Sequence, residues 1–392
     1  MKRLKQAIFW VVLLVIAAVG AFLTFGPGIV EKGRNAVAPH DPYPVSEKAA
    51  ALHKSLTIGD WHADPLLWNR DLATYGKYGQ VDVPRLMLGN VAVQVFTAVT
   101  KSPAGLNYDS NDAKAFDNVT LLAVAQLWPV KTWNSLLERA LYQAQKLKTV
   151  EDDSHGHFKI ITSAQDLDAV LEARANGEIV VGGILGIEGA HPLEGDIANL
   201  DKLEAAGYRL IALQHFFDNE LGGSLHGKSN AGLTDFGREV VQEVVKRGLI
   251  LDVAHSSEQV VREVLDMTDI PIVLSHSGVK TRCDVKRNID PELMKEIAAT
   301  GGVVGMGYWQ EVTCDDSPAG VAASIKAAVD LLGEDAVSLG SDFDGSVKTT
   351  FDTSELAAIT QALLDAGLTE TQIRKVMGEN MMRVLRARLG TR

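Results

Sequence analysis

Cysteine is scarce in this chain of 392 residues, which contains only Cys283 and Cys314. Their separation along the chain leaves a disulfide between them open, but it does not establish one. Small exported domains depend on several disulfides because they cannot build a large core. A chain of this length with so few cysteines does not depend on disulfides to fold. With 46% hydrophobic residues, the chain can bury a large core, and extensive disorder is not expected.

Positive charge is also limited, since the chain carries a net charge of −12 at pH 7. Three of its basic residues, Lys2, Arg3 and Lys5, lie at the N-terminal tip. The rest of the chain is therefore more acidic still, and it would repel the phosphate backbone of a nucleic acid. We expect no nucleic-acid partner.

Charged residues are absent from positions 7 to 30, and Ala7–Phe25 is almost continuously apolar. A helix over this stretch would be about 28 Å long, close to the hydrocarbon thickness of a bilayer. The basic tip in front of it predicts a cytoplasmic N-terminus and a body outside the cytoplasm. A cleaved signal peptide is the alternative, because Ala18-Val19-Gly20 offers small residues of the kind that a signal peptidase reads.

The chain divides into three predicted parts. Residues 1–30 form the membrane anchor or signal peptide, and residues 31–46 form a linker in which Pro39, Pro42 and Pro44 lie among polar residues. Residues 47–392 form a single barrel domain, a size that such a domain commonly has. The short basic tip favours a bacterial inner-membrane protein that faces the periplasm.

Polar residues follow the apolar runs of this domain in a regular way. His62 and Asp64 follow Leu56–Gly59, and they stand two residues apart, so a strand would present both on one side. Five later strand-like runs end at a residue that can bind a cation or polarise a substrate: Glu188, His215, His255, His276 and Asp342. Such residues gather at the C-terminal face of a (β/α)8 barrel, and this is the predicted fold.

The predicted strands number eight, as a closed barrel of this kind requires. Most are separated by segments with helical periodicity. They are Leu56–Gly59, Val91–Val99, Ile179–Ile187, Leu210–Gln214, Leu249–Ala254, Ile272–Ser275, Val303–Gly307 and Val337–Leu339. The pair His155 and His157 follows no strand, and we expect it to lie in a solvated loop.

Several short motifs resemble those of the membrane dipeptidase (renal dipeptidase) family, the zinc peptidases of family M19. The motifs are Asp60-Trp61-His62-Ala63-Asp64, Ile187-Glu188-Gly189, Asp252-Val253-Ala254-His255, Ser275-His276-Ser277, Arg287-Asn288 and Gly340-Ser341-Asp342-Phe343-Asp344-Gly345. The resemblance extends over roughly Thr57 to Val384, nearly the whole predicted body. It implies a dipeptidase on a (β/α)8 barrel of the metal-dependent hydrolase type.

The resemblance implies two zinc ions per chain. His62 and Asp64 would bind one ion, His255 and His276 would bind the other, and Glu188 would bridge both. Imidazole and carboxylate groups suit Zn²⁺, and two such ions close together can lower the pKa of a shared water until it becomes a nucleophile at neutral pH.

The resemblance also assigns residues to catalysis and to the substrate. His215 would stabilise the oxyanion and contact the substrate, and Asp342 would carry the proton from the attacking water to the leaving amine. Arg287, with its neighbour Asn288, would hold the C-terminal carboxylate of a dipeptide, for which a guanidinium group is geometrically suited. Asp344 is expected to hold a loop by hydrogen bonds.

Two other functions stay open at this stage. A related barrel hydrolase could act on another amide or ester, such as an N-acyl amino acid, and a tethered protein could bind ligands without turnover. The predicted partners are a dipeptide, in which the C-terminal residue can be of the D form, and the membrane. A homodimer is an alternative to a monomer.

Overall fold

The computed structural model describes residues 2–390, and its described part contains nine β-strands. They are β1 Ile58–Ala63, β2 Val91–Val99, β3 Phe158–Ile160, β4 Val181–Glu188, β5 Tyr208–Ala212, β6 Ile250–Asp252, β7 Val273–Ser277, β8 Val303–Met306 and β9 Val337–Leu339. Nearly every strand residue is buried, as expected for parallel strands covered by helices.

The strands close into a barrel of eight parallel strands. Around the ring the order is β1, β2, β4, β5, β6, β7, β8 and β9, and β9 pairs with β1. Because all pairs are parallel, the C-terminal ends of the strands meet at one end of the barrel. The predicted (β/α)8 fold is confirmed.

Strand β3 was not predicted. It pairs only with the start of β4, from Val181 to Gly183, and stands outside the closed ring. Three residues are too few to show the alternation by which a strand is recognised. His155 and His157 lie in the exposed turn just before it, away from the strand ends, as expected.

Fifteen α-helices lie in the described chain. They are α1 Lys2–Arg34, α2 Glu47–Lys54, α3 Val83–Leu88, α4 Asn118–Ala125, α5 Leu136–Asp153, α6 Ala164–Ala175, α7 Ala198–Ala205, α8 Asp235–Lys246, α9 Glu258–Met267, α10 Pro291–Ala299, α11 Gln310–Thr313, α12 Pro318–Leu332, α13 Leu356–Asp365, α14 Glu370–Arg374 and α15 Asn380–Arg388. Serine, threonine or aspartate caps many of them; Ser257, for example, accepts a hydrogen bond from the Val260 amide at the start of α9.

Helix α1 is long and apolar enough to cross a membrane, and its most apolar stretch of 18 residues is 0% buried in the chain. The helix does not end with the apolar run but continues to Arg34. The segment after it is joined to the loop that follows β9: the amide of Ser346 donates to Asn35 Oδ1 over 2.9 Å, and the amide of Ala38 donates to the Thr349 carbonyl over 2.8 Å. The first part of the predicted linker therefore lies on the barrel.

Candidate active site

The functional residues predicted at the strand ends lie together at the C-terminal end of the barrel. His62 is in β1, Glu188 ends β4, and His276 is in β7. Asp64 follows β1, His215 follows β5, His255 follows β6, and Asp342 follows β9. All seven residues are buried, with at most 8% of any of them exposed. The strand ends thus place four imidazoles and three carboxylates in one water-poor cluster.

Glu188 lies at the centre of this cluster. Its Oε1 is 3.4 Å from His62 Nε2, 3.3 Å from His255 Nε2 and 3.6 Å from His276 Nε2. Its other oxygen, Oε2, is 3.3 Å from His215 Nε2. One carboxylate therefore faces ligands from both halves of the barrel, as a bridge between two cations must.

Two groups of donor atoms share Glu188. His62 Nε2 lies 3.4 Å from Asp64 Oδ2, so these two residues and Glu188 form the first group. His255 Nε2 and His276 Nε2 face each other at 3.0 Å and complete the second group with Glu188. The family resemblance implied these two sets, and the fold brings their donor atoms together, although His276 also lies within ligand distance of His62 and Asp342. His215 also lies within ligand distance of Glu188 and His255.

The donor atoms fit zinc by their chemistry. Nitrogen from imidazole and oxygen from carboxylate are ligands that zinc prefers, and buried charges of this kind are normally paired or bound to metal. Burial, then the charge of Arg287, lowers the pKa of His255 well below its ordinary value. Burial also lowers the pKa of His276, and the charges of His62 and Arg287 lower it further. Both rings are therefore neutral, which is the form that binds a cation.

The carboxylates of the cluster differ in their protonation. Burial raises the pKa of Glu188, but the charges of His215 and His62 outweigh it and hold that pKa well below the ordinary value. Asp342 behaves in the opposite way. Burial raises its pKa well above the ordinary value despite the attraction of His62, and the Asp64 and Glu188 carboxylates add to the rise. Glu188 is thus suited to bind cations, and Asp342 is suited to hold a proton.

Two buried aspartates hold the strand ends in register. Asp60 Oδ1 accepts from the amide of His62 over 2.9 Å, and its Oδ2 accepts from the amide of Ser341 over 3.1 Å, which ties β1 to the loop after β9. Asp252 Oδ1 accepts from the amide of Ser275 over 3.0 Å and ties β6 to β7. Both aspartates were visible in the sequence motifs, but their partners are set by the fold.

Strained backbone occurs at two residues of the cluster. His255 has φ of 62° and Asp342 has φ of 60°, both in the left-handed region. Residues other than glycine rarely adopt it, and such positions concentrate at functional sites. The left-handed turn lets each side chain leave its strand end at an angle that a regular strand would not allow.

Arg287 is buried beside the second group of ligands. Its Nη2 donates to the His276 carbonyl over 2.6 Å and lies 3.4 Å from His255 Nε2. Its Nε and Nη1 are buried and have no hydrogen-bond partner among the described residues. Because unpaired buried donors are costly, this guanidinium is arranged to receive a further acceptor.

Asn288 is placed differently from its predicted role at the substrate. Its Oδ1 accepts from the Gly278 amide over 2.7 Å, and its Nδ2 donates to the carbonyls of Cys283 and Val312. A disulfide joins Cys283 to Cys314 in the same region. The occupied amide favours a role for Asn288 in holding the loop that carries Arg287.

Some residues at the site were not singled out from the sequence. Thr97 Oγ1 donates to Asp64 Oδ1 over 2.5 Å, and the only signal for it was a hydroxyl inside a strand of valines. Tyr108 Oη accepts from Trp309 Nε1 over 3.0 Å, and the Tyr108 carbonyl is 2.7 Å from His226 Nδ1. These contacts join the loop after β2 to other loops above the cluster. No local sequence pattern predicts them.

Asp344 fixes the loop that carries Asp342. Its Oδ1 accepts from the Gln80 amide over 2.8 Å, and its Oδ2 accepts from the Val81 amide over 3.0 Å. Arg70 forms an ion pair with Asp344 and another with Glu31, which belongs to the last turn of α1. The predicted loop-holding role of Asp344 agrees with these contacts, and the network connects α1 to the catalytic end of the barrel.

We expect Asp344→Asn to lower kcat by about 10- to 100-fold, the usual cost of losing a group that orients a metal site. The loss of charge leaves Arg70 with Glu31 as its closest acidic partner and loosens the strained loop, so the melting temperature should also fall. The zinc content should not change. Asp168→Asn is the matched control, because Asp168 pairs with Arg386 at the exposed surface and such pairs contribute little. An unchanged kcat in Asp344→Asn would contradict the positioning role.

A cluster of buried imidazoles and carboxylates at the C-terminal face of a (β/α)8 barrel defines a metal-dependent hydrolase. The sequence matches the membrane dipeptidase family (peptidase family M19) over residues 46–390. The chain therefore belongs to this family of metallopeptidases, and it is an enzyme.

The names of proteins similar to this chain agree with the family assignment. Dipeptidase aclJ of Aspergillus oryzae is 33% identical over 370 residues, which cover 85% of this chain and 80% of that protein. An uncharacterised dipeptidase of Schizosaccharomyces pombe is 27% identical over 328 residues, which cover 79% of this chain and 72% of that protein. A metallopeptidase from Rhodobacter sphaeroides, solved with a phosphinate mimic of the dipeptide L-Ala-D-Ala, has a similar fold with a TM-score of 0.68 at 24% identity, covering 85% of this chain and 99% of that one.

Proposed function

We propose that this protein is a membrane-anchored dizinc dipeptidase whose catalytic body lies outside the cytoplasm. The proposal rests on the geometry of the cluster, in which Glu188 faces both ligand groups. The Arg287 guanidinium lies beside this cluster, and two of its nitrogen donors have no partner among the described residues. Bound zinc would supply an activated water and a positive charge next to the peptide carbonyl. His62 and Asp64 would hold one ion, His255 and His276 the other, and Glu188 both.

The remaining residues have roles that follow from their positions. Asp342, with its raised pKa, would receive the proton of the attacking water on a carboxylate oxygen and give it to the leaving nitrogen. His215, which lies next to Glu188 Oε2, would donate through Nε2 to the oxygen of the tetrahedral intermediate.

Arg287 would select substrates by their length. Its Nε or Nη1, neither of which has a partner among the described residues, would donate to an oxygen of a C-terminal carboxylate, and this carboxylate would then lie close to the metal groups. Only one residue would fit between the scissile bond and the guanidinium, so a dipeptide is favoured over a longer chain. The bound L-Ala-D-Ala mimic in the Rhodobacter sphaeroides protein supports acceptance of a D-residue at this position.

Helix α1 supports the proposed location. It is apolar and uncovered by the rest of the chain over the predicted span Ala7–Phe25. The basic tip supports a cytoplasmic N-terminus, with the barrel on the periplasmic face of a bacterial inner membrane. Cleavage after Gly20 would release the same body on the same side.

The substrate class is tested with the zinc-loaded full chain in detergent. We expect L-Ala-L-Ala and L-Ala-D-Ala to be hydrolysed, and the dipeptide amide, which lacks the carboxylate, to react about 100-fold more slowly, since the charge-assisted hydrogen bond from Arg287 is lost. Arg287→Met should slow hydrolysis of the dipeptides by about the same factor and leave the amide unaffected. The measurement is kcat/KM for each substrate.

Arg282→Met is the control, because Arg282 lies in the same loop but is exposed. N-acetyl-alanine, which keeps the carboxylate but lacks the free amine, distinguishes a dipeptidase from a hydrolase of N-acyl amino acids. Faster turnover of N-acetyl-alanine than of the dipeptides would replace the proposal with that alternative. Equal rates for dipeptide and amide would contradict the role of Arg287.

A further inference from the structure

Four large apolar side chains are exposed within a short stretch of sequence around α4, and this stretch is here called the α4 patch. The exposed fractions are 57% for Phe116, 60% for Leu121, 68% for Leu127 and 69% for Val130. In the described body after Arg34, only three other large hydrophobic residues are similarly exposed, and they are spread over the chain. Single exposed apolar residues are ordinary, but a cluster within fifteen residues indicates a surface that contacts something apolar.

Helix α4 itself is apolar on every side. After Asn118 its only polar residue is Thr120, and the remaining six residues are Val, Leu or Ala. Val119 and Ala123 are buried in a small apolar cluster with Trp128, whereas Leu121 extends away from it. A helix that is apolar all round is normally buried on every face. The outer face of α4 is instead exposed.

Helix α1 leaves the body beside this patch. Residues 2–22 of α1 are exposed, whereas Gly26–Gly28 are half-buried and Glu31 is buried. Helix α1 contacts α4, and Gly28 packs close to the Tyr78 hydroxyl. The outer end of the predicted span, Phe25, therefore lies at the level where α1 meets the body.

We propose that the α4 patch rests in the headgroup region of the bilayer that α1 crosses. The proposal depends on the anchoring proposed above, because it is the end of the span that brings the patch to the membrane surface. Apolar side chains next to a spanning helix would enter the interface by about 5–10 Å, as the apolar faces of interfacial helices do. The bilayer is thus the cover that the outer face of α4 lacks.

This contact orients the enzyme. Helix α4 and the loop that carries Tyr78 both follow C-terminal ends of barrel strands, β2 and β1, and the metal-ligand cluster lies at those same ends. The catalytic end of the barrel would therefore face the membrane, and the opposite end would face the aqueous space. Substrates would reach the cluster along the bilayer surface.

The test uses single cysteines in the full chain. Because the two native cysteines are joined to each other, an introduced cysteine is the only free thiol. Leu121→Cys, Ile16→Cys and Ile179→Cys are each labelled with bimane and reconstituted into phosphatidylcholine vesicles that carry a nitroxide on the headgroup or at the middle of the acyl chain. Ile179, 58% exposed, precedes β4 at the opposite end of the barrel and is the matched control for Leu121. Retained dipeptide hydrolysis verifies that each labelled protein is folded.

We expect the label at Leu121 to lose fluorescence mainly to the headgroup nitroxide, the label at Ile16 to lose it mainly to the mid-chain nitroxide, and the label at Ile179 to lose it to neither. Quenching at Ile16 without quenching at Leu121 would overturn the surface contact and leave the anchor intact. Quenching at neither position would overturn the anchor and, with it, the contact. The label at Leu121 could instead be shielded from dissolved iodide and yet not be quenched by either nitroxide-labelled lipid. That result would show that protein, such as a second copy of the chain, covers the α4 patch, and it would also overturn the proposal.

Discussion

Glu188→Gln is expected to lower kcat/KM for a dipeptide by about 10³-fold or more, because the bound cations supply several kcal/mol of transition-state stabilisation and each 1.4 kcal/mol is a factor of ten. The amide keeps the size of the carboxylate but not its charge. Oε1 of Glu188 is the acceptor that faces His62, His255 and His276 within 3.6 Å, so neither ligand group is complete without it. Zinc measured by mass spectrometry after dialysis should fall below two ions per chain.

Glu178→Gln is the matched control, since Glu178 is exposed and lies just before the same strand. It should keep both its activity and its zinc. A melting curve with no added metal separates loss of zinc from loss of the fold. If Glu188→Gln retained two zinc ions and full turnover, the bridging role would be wrong.

Asp342→Asn is expected to lower kcat by about 10²- to 10⁴-fold, the usual contribution of a general acid or base. Asparagine has the same shape but cannot take up or release the proton. Asp342 Oδ1 lies 3.8 Å from His62 Nε2, at the edge of the first ligand group, so we expect zinc content and KM to change little. The measurement is kcat and KM for a dipeptide together with the zinc content.

A second substrate makes this test specific to proton transfer. In a depsipeptide the leaving group is an alcohol, which needs protonation less than an amine, so Asp342→Asn should slow its hydrolysis less than that of the dipeptide. Asp352→Asn is the matched control, because Asp352 is as exposed as Asp342, at 8%, but pairs with Arg85 away from the cluster. Equal losses on both substrates would contradict the role of Asp342 as the proton carrier.

The fold and the convergence of the site could be predicted because both follow from local patterns. Each barrel strand was visible as a short apolar run, and parallel strands bring their C-terminal ends together regardless of what lies between them. His62, Glu188 and His276 therefore had to meet once the barrel closed. The pairing of Cys283 with Cys314 was left open and is present.

Contacts between distant loops could not be predicted in the same way. The ion pairs of Arg70 join Glu31 to Asp344 across more than 300 residues of sequence, and no periodic pattern marks any of the three. The placement of Tyr108 above the cluster likewise depends on loops with no regular structure. For Asn288, the family resemblance implied a role at the substrate together with Arg287, but the two side chains have different partners.

The ion pair between Glu31 and Arg70 has a consequence for where the enzyme can be shortened. The match to the family starts at residue 46, which suggests a boundary just before α2. A fragment that began there would lack Glu31 and also Asn35, which accepts from the Ser346 amide, and the loop carrying Asp342 would lose two of its supports. Processing after Gly20 would keep both residues. The functional unit of this enzyme therefore begins inside the last turns of helix α1, about fifteen residues before the domain that matches the family.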